Sequence, residues 1–200
     1  MLASRPVGRL ESRQCALLVC DVQERFTSLI SGFDVVVDTC RRMVAGASAL
    51  QLPILLTEQY PKALGATKTL IQNVLPATTK PQPKMSFSMC GTDTANWWAS
   101  HPDIKQVMLC GIEAHVCVLQ TALDLLEQGV EVHLVVDGIS SQRLTDRQTA
   151  LTRATQSGAF LGTSEMLLFQ IMQGAKHPAF KTISALFKES RVPTPLPGKL

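Results

Sequence analysis

Residues 107–137 read VMLCGIEAHVCVLQTALDLLEQGVEVHLVVD, and the hydrophobic period changes twice within them. Val107 to Cys110 is a continuous apolar run, short for a helix and suited to a strand buried on both faces. From His115 to Gln128 the apolar positions Val118, Leu119, Ala122, Leu125 and Leu126 fall on one side of a helix, and Gly129 stops it. VEVHLVV at 130–136 is a second strand, ending at Asp137. Strand, helix and strand in succession make the two strands parallel, because the helix carries the chain back to the starting edge.

The same alternation extends in both directions. Upstream, CALLVC at 15–20 reads as a buried strand that ends at Asp21, Asp34 to Leu50 as a helix, and PILLT at 53–57 as the next strand. A short helical pattern covers 65–75, and another helix runs from Asp93 to Ser100. The segment TTKPQPK at 78–84 is read as irregular, because each proline removes a donor and restricts the residue before it. Downstream come a helix at 145–157, a strand at 159–161, a helix capped by Ser164 and running through Met172, and an amphipathic stretch at 176–189. This pattern predicts a Rossmann-like α/β fold, a mostly parallel sheet covered on both faces. Its site belongs beyond the C-terminal ends of the strands. Neither a dinucleotide fingerprint nor a P-loop is present, so no nucleotide cofactor is signalled.

The chain has 200 residues, of which 46% are hydrophobic and 18% charged, with a net charge of +3. That is too apolar for global disorder. It is also too nearly neutral to signal nucleic-acid binding, and no apolar run approaches the eighteen or so residues of a membrane span. The expected organisation is a flexible leader at 1–13, one domain at 14–190 and a flexible tail at 191–200. Six cysteines without a CxxC pair point to reduced thiols inside a cell. A cytoplasmic location is expected, with a mitochondrial or nuclear pool as the alternative. Arg5, Arg9 and Arg13 give the leader a faint presequence character, which Glu11 weakens. Amphipathic segments at 164–172 and 180–187 point to a homo-oligomer.

Three chemistry-bearing residues fall at strand exits: Asp21, Lys84 and Cys117. Cys117 lies near the start of a helix, where free N–H groups and the helix dipole favour an anionic sulfur. A carboxylate such as Asp21 could accept its proton and return it to a leaving group, with Lys84 offsetting the charge. Each also has a plain structural reading: Cys117 as core filler, Asp21 as a cap or turn former, Lys84 as a solvated loop residue. Cys15, Cys20 and Cys110 read as strand side chains and Cys40 as part of a helix face. His101, His115, His133 and His177 are scattered without metal-ligand spacing, so no metal is expected.

The blocks LLVCDVQERF at 17–26, KMSFSM at 84–89 and LCGIEAHVCVLQTALDLLEQGVEVHLVVDGISS at 109–141 resemble those of the isochorismatase-like cysteine hydrolases. The resemblance implies a three-layer α/β/α sandwich around a six-stranded sheet, usually assembled as an oligomer. It matches Asp21, Lys84 and Cys117 to the family's catalytic aspartate, lysine and nucleophilic cysteine. It also implies a non-proline cis peptide between Ile112 and Glu113, which would direct the N–H groups of Glu113 and Cys117 at an oxyanion. Gln23 matches a glutamine two positions beyond the aspartate, and Gln23, Phe26, Tyr60, Phe87 and Trp97 are the candidate pocket walls. Metal-holding members carry an aspartate and histidines after the second strand, where this chain has TEQYPKALG at 57–65. Neither a metal nor nicotinamide is therefore expected. Cys117 itself argues against isochorismate, whose vinyl ether is cleaved without a cysteine. What remains is hydrolysis of a small-molecule amide or related acyl compound through a thioester. The alternatives are a weakly active scaffold that binds a regulatory protein partner, and redox sensing through Cys117.

Overall fold

The computed structural model describes residues 7–193. Within them, six strands form one parallel sheet: β1 (Cys15–Cys20), β2 (Ile54–Gln59), β3 (Gln82–Lys84), β4 (Gln106–Gly111), β5 (Glu131–Ile139) and β6 (Phe160–Gly162), in the spatial order β3-β2-β1-β4-β5-β6. The order reverses between β1 and β4. In such a sheet the crevice at that switch point, outside the strands' C-terminal ends, is the place for a ligand.

Period-two alternation along the strands serves both layers. Leu17 and Val19 of β1 enter one core, with Val36, Cys40 and Met43 of α1 (Phe33–Ala49), Leu168 of α7 (Ser164–Met172) and Ile183 of α8 (Phe180–Lys188). Ala16, Leu18 and Cys20 enter the other, with Ala122 and Leu125 of α5 (Leu119–Glu127) and Ala150 and Leu151 of α6 (Leu144–Gln156). All six residues of β1 are buried, as a central strand sandwiched between helical layers must be. Three short α-helices also lie among the described residues: α2 (Pro61–Leu64), α3 (Thr69–Gln72) and α4 (Ala95–Ala99). None of the described helices is long and apolar enough to cross a membrane.

Several local expectations change. The segment at 78–84 is not wholly irregular, because Gln82–Lys84 pairs with β2 as an edge strand. Pro83 is tolerated there because an edge strand needs hydrogen bonds on one side only. The helix at 164 is capped by Thr163, whose hydroxyl accepts from the N–H of Met166 at 3.3 Å, while the Ser164 hydroxyl donates to Asp137 at 2.6 Å. β5 runs past Asp137 to Ile139. Packing also begins before the boundary expected at residue 14: Leu10 is fully buried, and Gln106 brackets the segment by donating to the Arg9 carbonyl and accepting from the Glu11 N–H, both at 2.7 Å. Burial of Leu10 ties this part of the expected leader to the domain. Residues 1–6 and 194–200, the ends of the expected leader and tail, lie outside the described residues.

Candidate functional site

β1 ends at Cys20, and the chain turns at Asp21 with φ 53°. Aspartate is among the few non-glycine residues that accept this left-handed conformation at modest cost. Its carboxylate is 2% exposed. Thr57, whose Cα lies opposite Cys20 on β2, donates from Oγ1 to Asp21 Oδ1 at 2.8 Å. The other oxygen, Oδ2, faces Lys84 Nζ at 2.8 Å and the Cys20 thiol at 3.4 Å.

Lys84 closes the short edge strand and is fully buried. Ion-paired with Asp21, its ammonium donates to Gln59 Oε1 at 2.7 Å, to the Phe87 carbonyl at 2.8 Å and to the Ser86 carbonyl at 3.0 Å. Burial pushes the ammonium down, but the nearby Cys20, Asp21 and Cys117 outweigh it and the net direction is up. The lysine therefore stays charged at neutral pH.

β4 ends at Gly111, where φ is 117° and an added Cβ would come within 2.1 Å of the Cys20 carbonyl oxygen. Only glycine lets the exits of β1 and β4 lie so close. The next peptide, Ile112–Glu113, is cis. The chain then enters a π-helical turn, Ala114–Val118, that runs on into α5. Cys117 lies in this turn rather than in the first turn of a regular α-helix, and π-turns inside helices recur at functional sites. The Cys117 sulfur, the Cys20 sulfur and a carboxylate oxygen of Asp21 all lie within 4.8 Å of one another. Asp21, Lys84 and Cys117, far apart in sequence, thus meet at the sheet's switch point. The N–H of Glu113 has no backbone acceptor among the described residues.

The candidate pocket residues separate into groups. Gln23 is fully buried, with its amide committed to the backbone: Nε2 donates to the carbonyls of Gln59 at 2.9 Å and Gly65 at 2.7 Å, and Oε1 accepts from the N–H of Gln59 at 2.8 Å. It ties its own loop to the end of β2 and to Gly65 instead of facing a pocket. Phe26 packs against the core beneath α1. Trp97 stacks on His101 and lines a cleft of about 520 Å³ with Leu52, Pro53 and Gln82, at the strands' N-terminal end and away from Cys117. Its α4 position, distant in sequence from every strand exit, gave no sign of which end it would occupy. Tyr60 and Phe87 are exposed beside Lys84: the Tyr60 N–H donates to the Lys84 carbonyl at 3.0 Å, and the Phe87 carbonyl holds Nζ.

Sequence reading missed Cys20, Thr57 and Gln59. Thr57 and Gln59 become visible once β1 is paired with β2, since parallel register sets the end of one strand beside the end of the other. The sulfur and oxygen atoms of Cys20, Asp21 and Cys117 are close enough for a cation. The Lys84 ammonium, however, is already on Asp21 Oδ2, and like charges repel. The donor set does not fit a resident metal.

The chain is 45% identical over 194 residues to isochorismatase domain-containing protein 2 of Danio rerio, covering 97% of this chain and 95% of that protein. It is 43% identical over 201 residues to the Homo sapiens protein of the same name, with 100% and 95% covered. Among solved structures, that of MAR1 ribonuclease from Caenorhabditis elegans matches with TM-score 0.89 and 41% identity, over 96% of this chain and 99% of that one. YcaC from Pseudomonas aeruginosa, solved with hexane-2,5-diol and covalent acrylamide, matches with TM-score 0.83 and 22% identity, over 92% and 93%, a likeness of fold. The isochorismatase domain model matches residues 15–166, which span β1 to the start of α7 and hold Asp21, Lys84 and Cys117, and the chain belongs to the isochorismatase family.

Proposed function

We propose that this protein is a cysteine hydrolase that cleaves a small-molecule amide or related acyl compound through a thioester on Cys117. The observation that carries this reading is a sulfur within 4.8 Å of a buried carboxylate that a buried lysine holds in place. Asp21 takes the thiol proton, the sulfur adds to the acyl carbon, and the oxyanion rests against the N–H groups of Glu113 and Cys117. Asp21 returns the proton to the departing amine, and water then hydrolyses the thioester. Lys84 balances the charge of Asp21 and fixes the direction of Oδ2. A buried carboxylate and ammonium have no packing advantage over apolar side chains of similar size, which favours a catalytic role over a structural one. Tyr60 and Phe87 are the pocket residues that remain beside Lys84.

The test is intact-protein mass spectrometry after exposure to a panel of amides, with acrylamide included as an electrophile. An acyl adduct on Cys117 supports the reading, whereas an acrylamide adduct, a thioether, shows only that the thiol is accessible and reactive. If no amide modifies any cysteine, a scaffold that acts by binding a protein partner takes its place. The 41% identity to a protein named a ribonuclease makes RNA the second substrate class. Cleavage of labelled single-stranded RNA, lost in Cys117→Ala, would favour it over amides.

The same proposal includes self-association. The Escherichia coli YcaC structure is described as an octameric hydrolase. Here Leu29, Met85, Phe87 and Met166 leave exposed apolar surface for a second copy to cover. A monomer in sedimentation at micromolar concentration would rule this out.

A further inference from the structure

Cys20 is the one reactive side chain at the site that the hydrolysis does not use. It is fully buried at the end of β1, its thiol is 3.4 Å from Asp21 Oδ2, and its sulfur lies within 4.8 Å of that of Cys117. We propose that Cys20 and Cys117 form a peroxide-reactive dithiol, in which hydrogen peroxide oxidises Cys117 and Cys20 then closes a reversible disulfide that takes the nucleophile out of use. This rests on the reading of Cys117 as the reactive thiol.

The steps balance. The Cys117 thiolate attacks one oxygen of hydrogen peroxide, the O–O bond breaks, and the departing hydroxide takes up the thiol's proton to become water. Sulfur has lost two electrons and is a sulfenic acid. Asp21 then accepts the proton of Cys20, and the Cys20 sulfur attacks that of Cys117. The S–S bond forms as the S–O bond breaks, and hydroxide leaves with the proton from Asp21 as a second water. Two thiols and one peroxide become one disulfide and two waters.

The two cysteines are unequal in the way this sequence needs. Cys117 is 7% exposed and Cys20 is not exposed at all, so peroxide meets Cys117 first. Burial, hydrogen bonding to Cys117 and the charge of Asp21 push the Cys20 thiol well up, so it stays protonated until Asp21 is called on as its base. The sulfurs must close by less than about 3 Å to reach bonding distance. The strand holds the backbone of Cys20, so the movement falls to side-chain rotation and to the π-turn of Cys117. Without a second thiol, a sulfenic acid proceeds to the irreversible sulfinic acid. A second pair provides an internal control: Cys40 and Cys110 are both fully buried, and their thiols face the carbonyls of Gly138 at 3.8 Å and Leu18 at 3.6 Å, so they should stay reduced.

The test treats the wild-type chain with hydrogen peroxide in the absence of thiols. The expected result is a loss of about 2 Da, two of the six thiols gone, and a single cross-linked peptide pair containing Cys20 and Cys117. A thiol reductant should reverse it. In Cys20→Ala the mass should instead rise by about 16 and then 32 Da on Cys117, and the second product should resist reduction. Oxygen addition to Cys117 in the wild type with Cys20 recovered free, or a link to any other cysteine, overturns the proposal. Iodoacetamide labelling in the same samples separates the failures. If Cys117 labels fast but forms no link, the dithiol fails alone; if Cys117 reacts with neither reagent, the hydrolase reading fails as well.

Discussion

The Lys84 ammonium lies 2.8 Å from Asp21 Oδ2, with the two side chains 0% and 2% exposed. Burying two charges is expensive, and their attraction offsets the cost only if the remaining hydrogen-bonding groups are also satisfied. Here they are. Nζ meets Gln59, Ser86 and Phe87 as well as Asp21, and Oδ1 of Asp21 accepts from Thr57. The pair joins the exit of central strand β1 to edge strand β3, across the full width of β2.

Removing one partner leaves the other charged and uncompensated. Lys84→Ala should lose about 3–5 kcal/mol in urea unfolding, and Lys84→Met combined with Asp21→Asn should lose less than the sum of the two single changes. Strict additivity would mean that the two groups do not depend on each other.

Cys117 should be the first thiol labelled by iodoacetamide at pH 7. Cys15 is pushed up to about 12, and partly exposed Cys90 to about 11, in both cases chiefly by burial. Neither carries an appreciable thiolate fraction at neutral pH. Peptide-resolved labelling with Cys90 ahead of Cys117 would remove the basis for Cys117 as nucleophile.

Acid should weaken the fold partly through His133. Burial pushes this imidazole down, with Glu131, 2.8 Å away, acting in the opposite direction. Because the folded value is the lower one, the unfolded chain binds the proton first. The contribution is present above about pH 6.5 and is lost as pH falls through the folded value. His133→Gln should flatten the decline in urea midpoint between about pH 7 and pH 5; an unchanged slope would assign that decline to other groups.

Gly111→Ala should destabilise by at least about 3 kcal/mol, since a positive φ and a backbone collision act together. Gly129 also has positive φ, 76°, but nothing within 4 Å of an added Cβ. Gly129→Ala should therefore lose only about 1 kcal/mol. Equal losses in thermal or urea unfolding would show that the contact between Gly111 and Cys20 is unimportant.

Much of this site was legible in the chain because Asp21, Cys117 and the strands before them lie in strongly periodic segments. Lys84 stood out as the residue that follows a proline stretch read as irregular, and the resemblance of KMSFSM then matched it to the family's lysine. Tyr60 and Phe87 stand beside Lys84, Gln23 is committed to the backbone of Gln59 and Gly65, and Trp97 lines a cleft at the strands' other end. A side chain's direction depends on which carbonyls and helices surround it, and no local pattern specifies them.

The sequence by itself determined the alternation of strands and helices, the burial of β1 on both faces, and the parallel sense of the sheet, because each follows from periodicity within a dozen residues. Tertiary structure alone decided the reversal of strand order between β1 and β4, the edge position that makes Pro83 acceptable as part of β3, and the gathering of Cys20, Thr57 and Gln59 around Asp21 and Lys84. Those depend on register between segments separated by tens of residues. Register is set by packing of the whole core, and only there do Lys84 and Asp21 become a pair.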